Sequence, residues 1–252
     1  MSGWSKLPLL FHVGDSSQQS MMGRIKEIER KKHKTVLAPR CGSHSQHKSL
    51  HKHGNKKYEF HSTHSTAGLQ DTECSLESLN LKNCGVTDAG CVFLSSALSL
   101  NPSHLKVLDL SWNNIGDSGV KHLCAALEKV QCALETLKLD KCGMTENSCA
   151  VLASALSSKT SNLTDLDLSI NDLRDSGVKK LCVGLEDPHC TLEKLRLSNC
   201  NVTHEGVTAL TEALKSNPSH LKEIDLLEND LEESDLNVIS MILEKSSKNT
   251  NP

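Results

Sequence analysis

Residues 105–133 read LKVLDLSWNNIGDSGVKHLCAALEKVQCA. Leu108 and Leu110 stand two apart and so share one side of an extended chain. Val120, Leu123 and Leu127 recur at spacings of three and four, the mark of an amphipathic helix. One stretch of 29 residues therefore holds a strand, a tight turn and a helix. The hexapeptide NPSHLK shows that the stretch is not alone, because it occurs at Asn101–Lys106 and again at Asn217–Lys222, 116 residues or four such stretches later. The leucines that open the phrase stand at Leu76, Leu105, Leu134, Leu163, Leu192 and Leu221, each 29 residues after the last. The chain is an array.

Aligned, the six units begin LESLNLKNCGV, LKVLDLSWNNI, LETLKLDKCGM, LTDLDLSINDL, LEKLRLSNCNV and LKEIDLLENDL. All match L-x-x-L-x-L-x-x-N/C-x-L, the leucine-rich repeat, whose unit is one strand plus one helix. The predicted fold class is an α/β leucine-rich repeat solenoid, a horseshoe with parallel strands on its concave side and helices on its convex side. Positions four and six of each strand face the interior, while three, five and seven face out. The ninth position alternates Cys84, Asn113, Cys142, Asn171, Cys200 and Asn229. Asparagine there can satisfy backbone groups of the turn, and cysteine fills the same space with weaker bonds. Acidic Asp88, Asp117, Glu146, Asp175 and Glu233 fall near helix starts, where the helix dipole favours them. Pro102 and Pro218 stop the helix before the next strand.

The 58-residue alternation of cysteine-type and asparagine-type units resembles the ribonuclease-inhibitor class of leucine-rich repeats. The phrases LDLSxN, DSGVKxLC and NCxVT resemble the repeat region of NACHT-containing NOD-like receptors, including their expanded fish set. That resemblance spans Cys74 to about Leu243. It implies protein recognition and, in the receptors, a sensing or autoinhibitory role in innate immunity. Two other readings stay open: a stand-alone ribonuclease-inhibitor-like protein and a truncated product without function. The units before Leu76 and after Leu243 lack the pattern of closing repeats, which suits a piece of a longer receptor.

Charge is divided unevenly. Residues 1–70 hold twelve Lys/Arg and four Asp/Glu, a surplus of +8 that leaves −11 over residues 71–252. Three segments follow: a basic, His-rich tail expected to lack structure (1–70), the repeat domain (71–245) and a polar C-terminal tail (246–252). CGSHSQHKSLHKH, residues 41–53, offers Cys and His at metal-like spacing but lacks the second cysteine pair of a structural zinc site. RIKEIERKKHK, residues 24–34, is basic without interleaved aromatics and precedes an acidic body, so nucleic acid is set aside as a partner. Most of the eleven cysteines sit on repeat positions, which marks them as buried free thiols of a cytoplasmic protein.

No phosphate-binding loop, nucleophile elbow or HExxH motif occurs, so the chain reads as no enzyme. A protein partner is expected, with no cofactor, small-molecule substrate or membrane span. The candidate binding face follows from the strand periodicity. Position five reads Asn80, Asp109, Lys138, Asp167, Arg196 and Asp225, a ladder of alternating charge that either pairs with itself or meets a charged ligand. Position eight reads Asn83, Trp112, Lys141, Ile170, Asn199 and Glu228 at the exit of each strand. Trp112 is the only tryptophan in the repeats. It either anchors a partner or packs on neighbours such as Asn83 and Lys141.

Overall fold

A computed structural model describes residues 35–37, 77–100, 104–129, 132–217 and 220–249. Strands and helices alternate along it. In chain order they are β1 (Thr35–Leu37), β2 (Ser78–Asn80), α1 (Asp88–Leu100), β3 (Val107–Asp109), α2 (Gly116–Lys129), β4 (Thr136–Lys138), α3 (Ser148–Leu156), β5 (Asp165–Asp167), α4 (Arg174–Leu185), β6 (Lys194–Arg196), α5 (His204–Ser216), β7 (Glu223–Asp225) and α6 (Glu233–Asn249). The strands form one parallel sheet in sequence order. Equivalent leucines lie side by side, Leu79 beside Leu108, then Leu137, Leu166, Leu195 and Ile224, so the 29-residue period of the sequence becomes the register of the sheet.

Each strand is only three residues long, and the core explains why that suffices. Leu79 and Leu81, and their counterparts down to Leu195 and Leu197, are buried beneath the helices. From the helix side come Cys91, Leu94 and Leu98 of α1 and Val120, Leu123 and Leu127 of α2, the faces expected from their spacing, all of them buried. A single unit has no second layer to bury these side chains against, and stacked neighbours share one continuous interior. The helices approach closely where small residues allow it. A Cβ built on Gly184 of α4 would stand 2.5 Å from the Ala153 carbonyl oxygen of α3.

Two sets of polar bonds fasten the units, and they alternate. Asn113 accepts from the backbone N–H groups of Cys84 (3.0 Å) and Val86 (2.9 Å) in the unit before it and donates to the carbonyls of Leu81 and Leu110. Asn171 repeats this pattern on Cys142 and Met144, and Asn229 on Cys200 and Val202. At the intervening joints the thiols of Cys142 and Cys200 donate to the carbonyls of Leu110 and Leu168 at 3.2 and 3.3 Å, weak bonds by comparison. There the fastening moves to the helix starts. Asp117 accepts from the backbone N–H of Thr145 (2.8 Å) and its hydroxyl (2.6 Å), and Asp175 does the same to Thr203 at the same two distances. These two aspartates thus clasp the next unit, a role beyond the dipole stabilisation expected of them. The last joint, already fastened by Asn229, adds a helix-start bond between His204 Nδ1 and Asp235 Oδ1, 2.6 Å.

Two expectations fall in the N-terminal segment. Within residues 1–70, read from sequence as a tail, Thr35–Leu37 form β1 and pair with Ser78–Asn80. The other residues of that segment, with the histidine-rich and basic stretches, lie outside the described ones, as do residues 250–252.

Candidate functional site

Position eight is set by the backbone. Asn83, Trp112, Lys141, Ile170, Asn199 and Glu228 all have φ between 52° and 62°, the left-handed region. Asparagine tolerates that conformation through its short polar side chain, whereas a β-branched residue such as Ile170 is strained there. Each side chain of the row is exposed at the strand exit, with Trp112 at 44% and Ile170 at 41%. Leu227, at position seven of the last unit, is 65% exposed in the neighbouring place. Apolar side chains thus emerge beside β3, β5 and β7, all in asparagine-type units.

Trp112 is both exposed and packed. The Lys141 ammonium stands 3.9 Å from the centroid of its ring and that of Lys82 5.8 Å, so cations from the units before and after flank the indole. Such contacts contribute about 0.5–1 kcal/mol at exposed sites. Asn83, expected as a packing neighbour, is the position-eight residue one strand away.

Position five departs from the self-paired ladder. Asn80, Asp109, Asp167 and Asp225 turn their side-chain oxygens to the backbone N–H two residues on, at 3.0, 3.0, 3.1 and 3.0 Å, and so shape the turn out of the strand. Asp109 is buried, although its position was expected to face outward, and it also accepts from Asn80 Nδ2 at 3.2 Å. Arg196 does not bond its ladder neighbours Asp167 and Asp225. It reaches Asp165, at position three of the preceding unit, at 2.5 Å, with Glu223 3.9 Å away. Lys138 holds the same register between Asp109 and Asp167. The carboxylates were claimed locally by backbone N–H groups, which need no partner strand. The pattern D-x-S in Asp109–Ser111 and Asp167–Ser169 was the available sign of this turn.

The nine described cysteines are buried. Burial pushes the thiols of Cys91, Cys142 and Cys149 up to about 12, far from the thiolate form that attacks or binds metal. His204 titrates above its ordinary range because it hydrogen-bonds the Asp235 carboxylate, and that bond holds Asp235 below its own. Among the described residues no group of three His, Cys, Asp or Glu side chains is placed to hold a metal ion, and no helix is long and apolar enough to cross a membrane. What the face offers is shape, apolar anchors and fixed charge.

Comparison with known proteins agrees with this geometry. The model of the PRAME C-terminal domain matches residues 24–184, and that of the Leucine Rich repeat matches residues 189–210. Ribonuclease inhibitor of Mus musculus is 44% identical over 164 residues, 65% of this chain and 35% of that protein. NACHT, LRR and PYD domains-containing protein 14 of Mus musculus is 41% identical over 171 residues, 68% of this chain and 17% of that protein. The chain spans about a third of the first relative's length and about a sixth of the second's. Among solved structures, Leiomodin-1 Actin-Binding Site 2 is matched with a TM-score of 0.45 at 15% identity, over 73% of this chain and 88% of that one, and no reading of function rests on it. With one model covering more than half of the residues and the repeat itself matched beyond it, the chain belongs to the PRAME C-terminal domain family, as a leucine-rich repeat protein homologous to ribonuclease inhibitor and to the NACHT, LRR and PYD domain proteins.

Proposed function

We propose that the chain is a protein-binding module whose contact face is the outward side of the sheet and its row of strand exits, centred on Trp112 and Ile170. The observation that carries this reading is the conformation of those two residues. Both are apolar, both are exposed, and both hold a left-handed backbone that asparagine occupies with less strain at positions 83 and 199. Strain of this kind persists where the surroundings enforce it, and it gathers at binding sites. Lys138, Lys141, Asp167, Arg196, Asn199 and Glu228 supply the polar rim and Asn83 its first edge, while Asp109, buried, shapes the turn behind it.

The homology to NACHT-containing proteins supports a module of an innate immune receptor, with a sensing or autoinhibitory part to play. The identity to ribonuclease inhibitor supports a second reading, capture of a ribonuclease on the same face. A pancreatic-type ribonuclease assay separates them, since only the second reading predicts inhibition. Sequence upstream in the genome that encodes a phosphate-binding loop supports the receptor.

The face itself is tested with the full chain and a double variant, Trp112→Asn with Ile170→Asn, immobilised side by side and exposed to cytosolic extract. Proteins retained by the parent and lost by an equally stable variant support the reading. Equal retention by both refutes it.

A further inference from the structure

Trp112 and Ile170 stand at equivalent positions at the exits of β3 and β5, two strands apart in an in-register sheet, and Leu227 stands one position earlier at the exit of β7, beside the equivalent Glu228. Neighbouring strands lie about 4.8 Å apart, so measured across the strands the anchors recur about every 9.6 Å. That pitch selects among regular partners. Seven residues of α-helix rise about 10.5 Å and return to nearly the same face. Three residues of polyproline II rise about 9.3 Å and do likewise. A β-strand offers same-face steps of about 6.6 and 13 Å and fits neither.

Backbone chemistry decides between the first two. An extended partner gains much of its affinity from hydrogen bonds to its host. Along this row the host N–H groups are already used: Trp112 donates to Asp140 O, Ile170 to Ser198 O and Asn199 to Leu227 O, at 2.8 to 2.9 Å. A helix satisfies its own backbone and asks only for apolar contact. Charge supplies the direction. Lys82 and Lys141 flank the Trp112 end, while exposed Glu228 and Asp230, with Asp225, surround the Leu227 end. Arg196 on β6 and Glu223 on β7 are engaged with Asp165 and Lys194. A helix carries about half a positive charge at its N-terminus and half a negative one at its C-terminus. It meets both ends favourably in one orientation only.

We infer that Trp112, Ile170 and Leu227 are a seat for an amphipathic helix of a partner protein, bearing apolar residues seven apart, its N-terminus over Glu228 and its C-terminus over Lys141. This rests on the reading of the face as a protein-binding one and specifies what it takes.

The test uses the full chain and fluorescent peptides in an anisotropy titration. The first peptide is a lactam-bridged helix about 18 residues long, with leucine at every seventh position, lysines in its first turn and glutamates in its last. The second reverses the charges, and the third is proline-rich with leucine at every third position. The first should bind below about 100 µM and the charge-reversed one at least about fivefold more weakly. Trp112→Asn, Ile170→Asn and Leu227→Ser use residues that other units carry at those positions, so folding is preserved. Each should weaken binding about tenfold or more. Val183→Ser, on α4 and 68% exposed, should leave it unchanged.

Tighter binding of the proline-rich peptide, indifference to any one of the three anchors, or no binding of the helix below about 1 mM overturns the inference. If the helix fails while extract proteins are still lost from the Trp112→Asn, Ile170→Asn variant, only the helical partner falls. If that difference also vanishes, the binding face falls with it.

Discussion

Asn171→Ala removes one side chain and unmakes a joint. Its Oδ1 accepts from the N–H groups of Cys142 (3.0 Å) and Met144 (3.1 Å), and both donors lie in buried residues. Of the carbonyls it serves, Ser169 O still accepts from Lys141 N and Leu168 O from the Cys200 thiol. The loss therefore falls on the two N–H groups and on Leu139 O. An orphaned buried donor costs about 1–3 kcal/mol, and some relief from water at the turn leaves a total of about 2–4 kcal/mol. Cys142→Ala is the control, because it deletes only weak thiol bonds to Leu110 O and Asp140 O and a small volume, about 1 kcal/mol. Asn229→Ala, at the half-buried last joint, should fall between the two. Urea unfolding followed by far-ultraviolet circular dichroism reads these differences as midpoint shifts at unchanged slope. An Asn171→Ala variant within about 1 kcal/mol of the parent, or no more costly than Cys142→Ala, would refute the reasoning.

Gly184→Ala should destabilise by about 1–3 kcal/mol, because the added Cβ meets the backbone of Ala153 and α3 and α4 must part; thermal unfolding measures it. Ile170→Asn should stabilise by about 1 kcal/mol, since asparagine tolerates the left-handed conformation that isoleucine resists, and urea midpoints report the sign. The His204–Asp235 bond should tighten the last joint only within a window of pH. His204 is raised, so its contribution is complete below its ordinary value of 6.5 and fades as pH rises through the higher native one. Asp235 is lowered, so its contribution is complete above 3.8 and fades as pH falls through the lower native one. Comparing the parent with His204→Gln by hydrogen exchange of α6 should show extra protection between these limits, fading as pH rises through the raised native value of His204. Finally, the described thiols should resist aromatic disulfide reagents at neutral pH until the chain unfolds, and rapid labelling of native Cys142 would contradict that.

The repeat was readable because burial leaves its period in the sequence. Leu108 and Leu110 mark a strand and Val120, Leu123 and Leu127 a helix whatever surrounds them. The site was less readable, since two of its determinants are matters of conformation. Nothing in the letters of Trp112, Lys141, Ile170 or Glu228 announces a left-handed backbone, and only Asn83 and Asn199 in the same column hint at it. Likewise Asp109 and Asp167 look like ladder charges until their carboxylates are seen closing turns on Ser111 and Ser169. The aspartate clasps were written in the sequence as a second spacing of 58, Asp117 to Asp175 and Thr145 to Thr203, which makes sense only once residues 28 apart in neighbouring units are seen to touch.

Because asparagine fastens one kind of joint and aspartate the other, the heritable building block of this array is the pair of units and not the single unit. A lineage that adds or drops 58 residues at once keeps every contact surface matched to its neighbour. One that duplicates a lone cysteine-type unit sets two such units side by side, with neither fastening between them. Length in these proteins should accordingly change by twos.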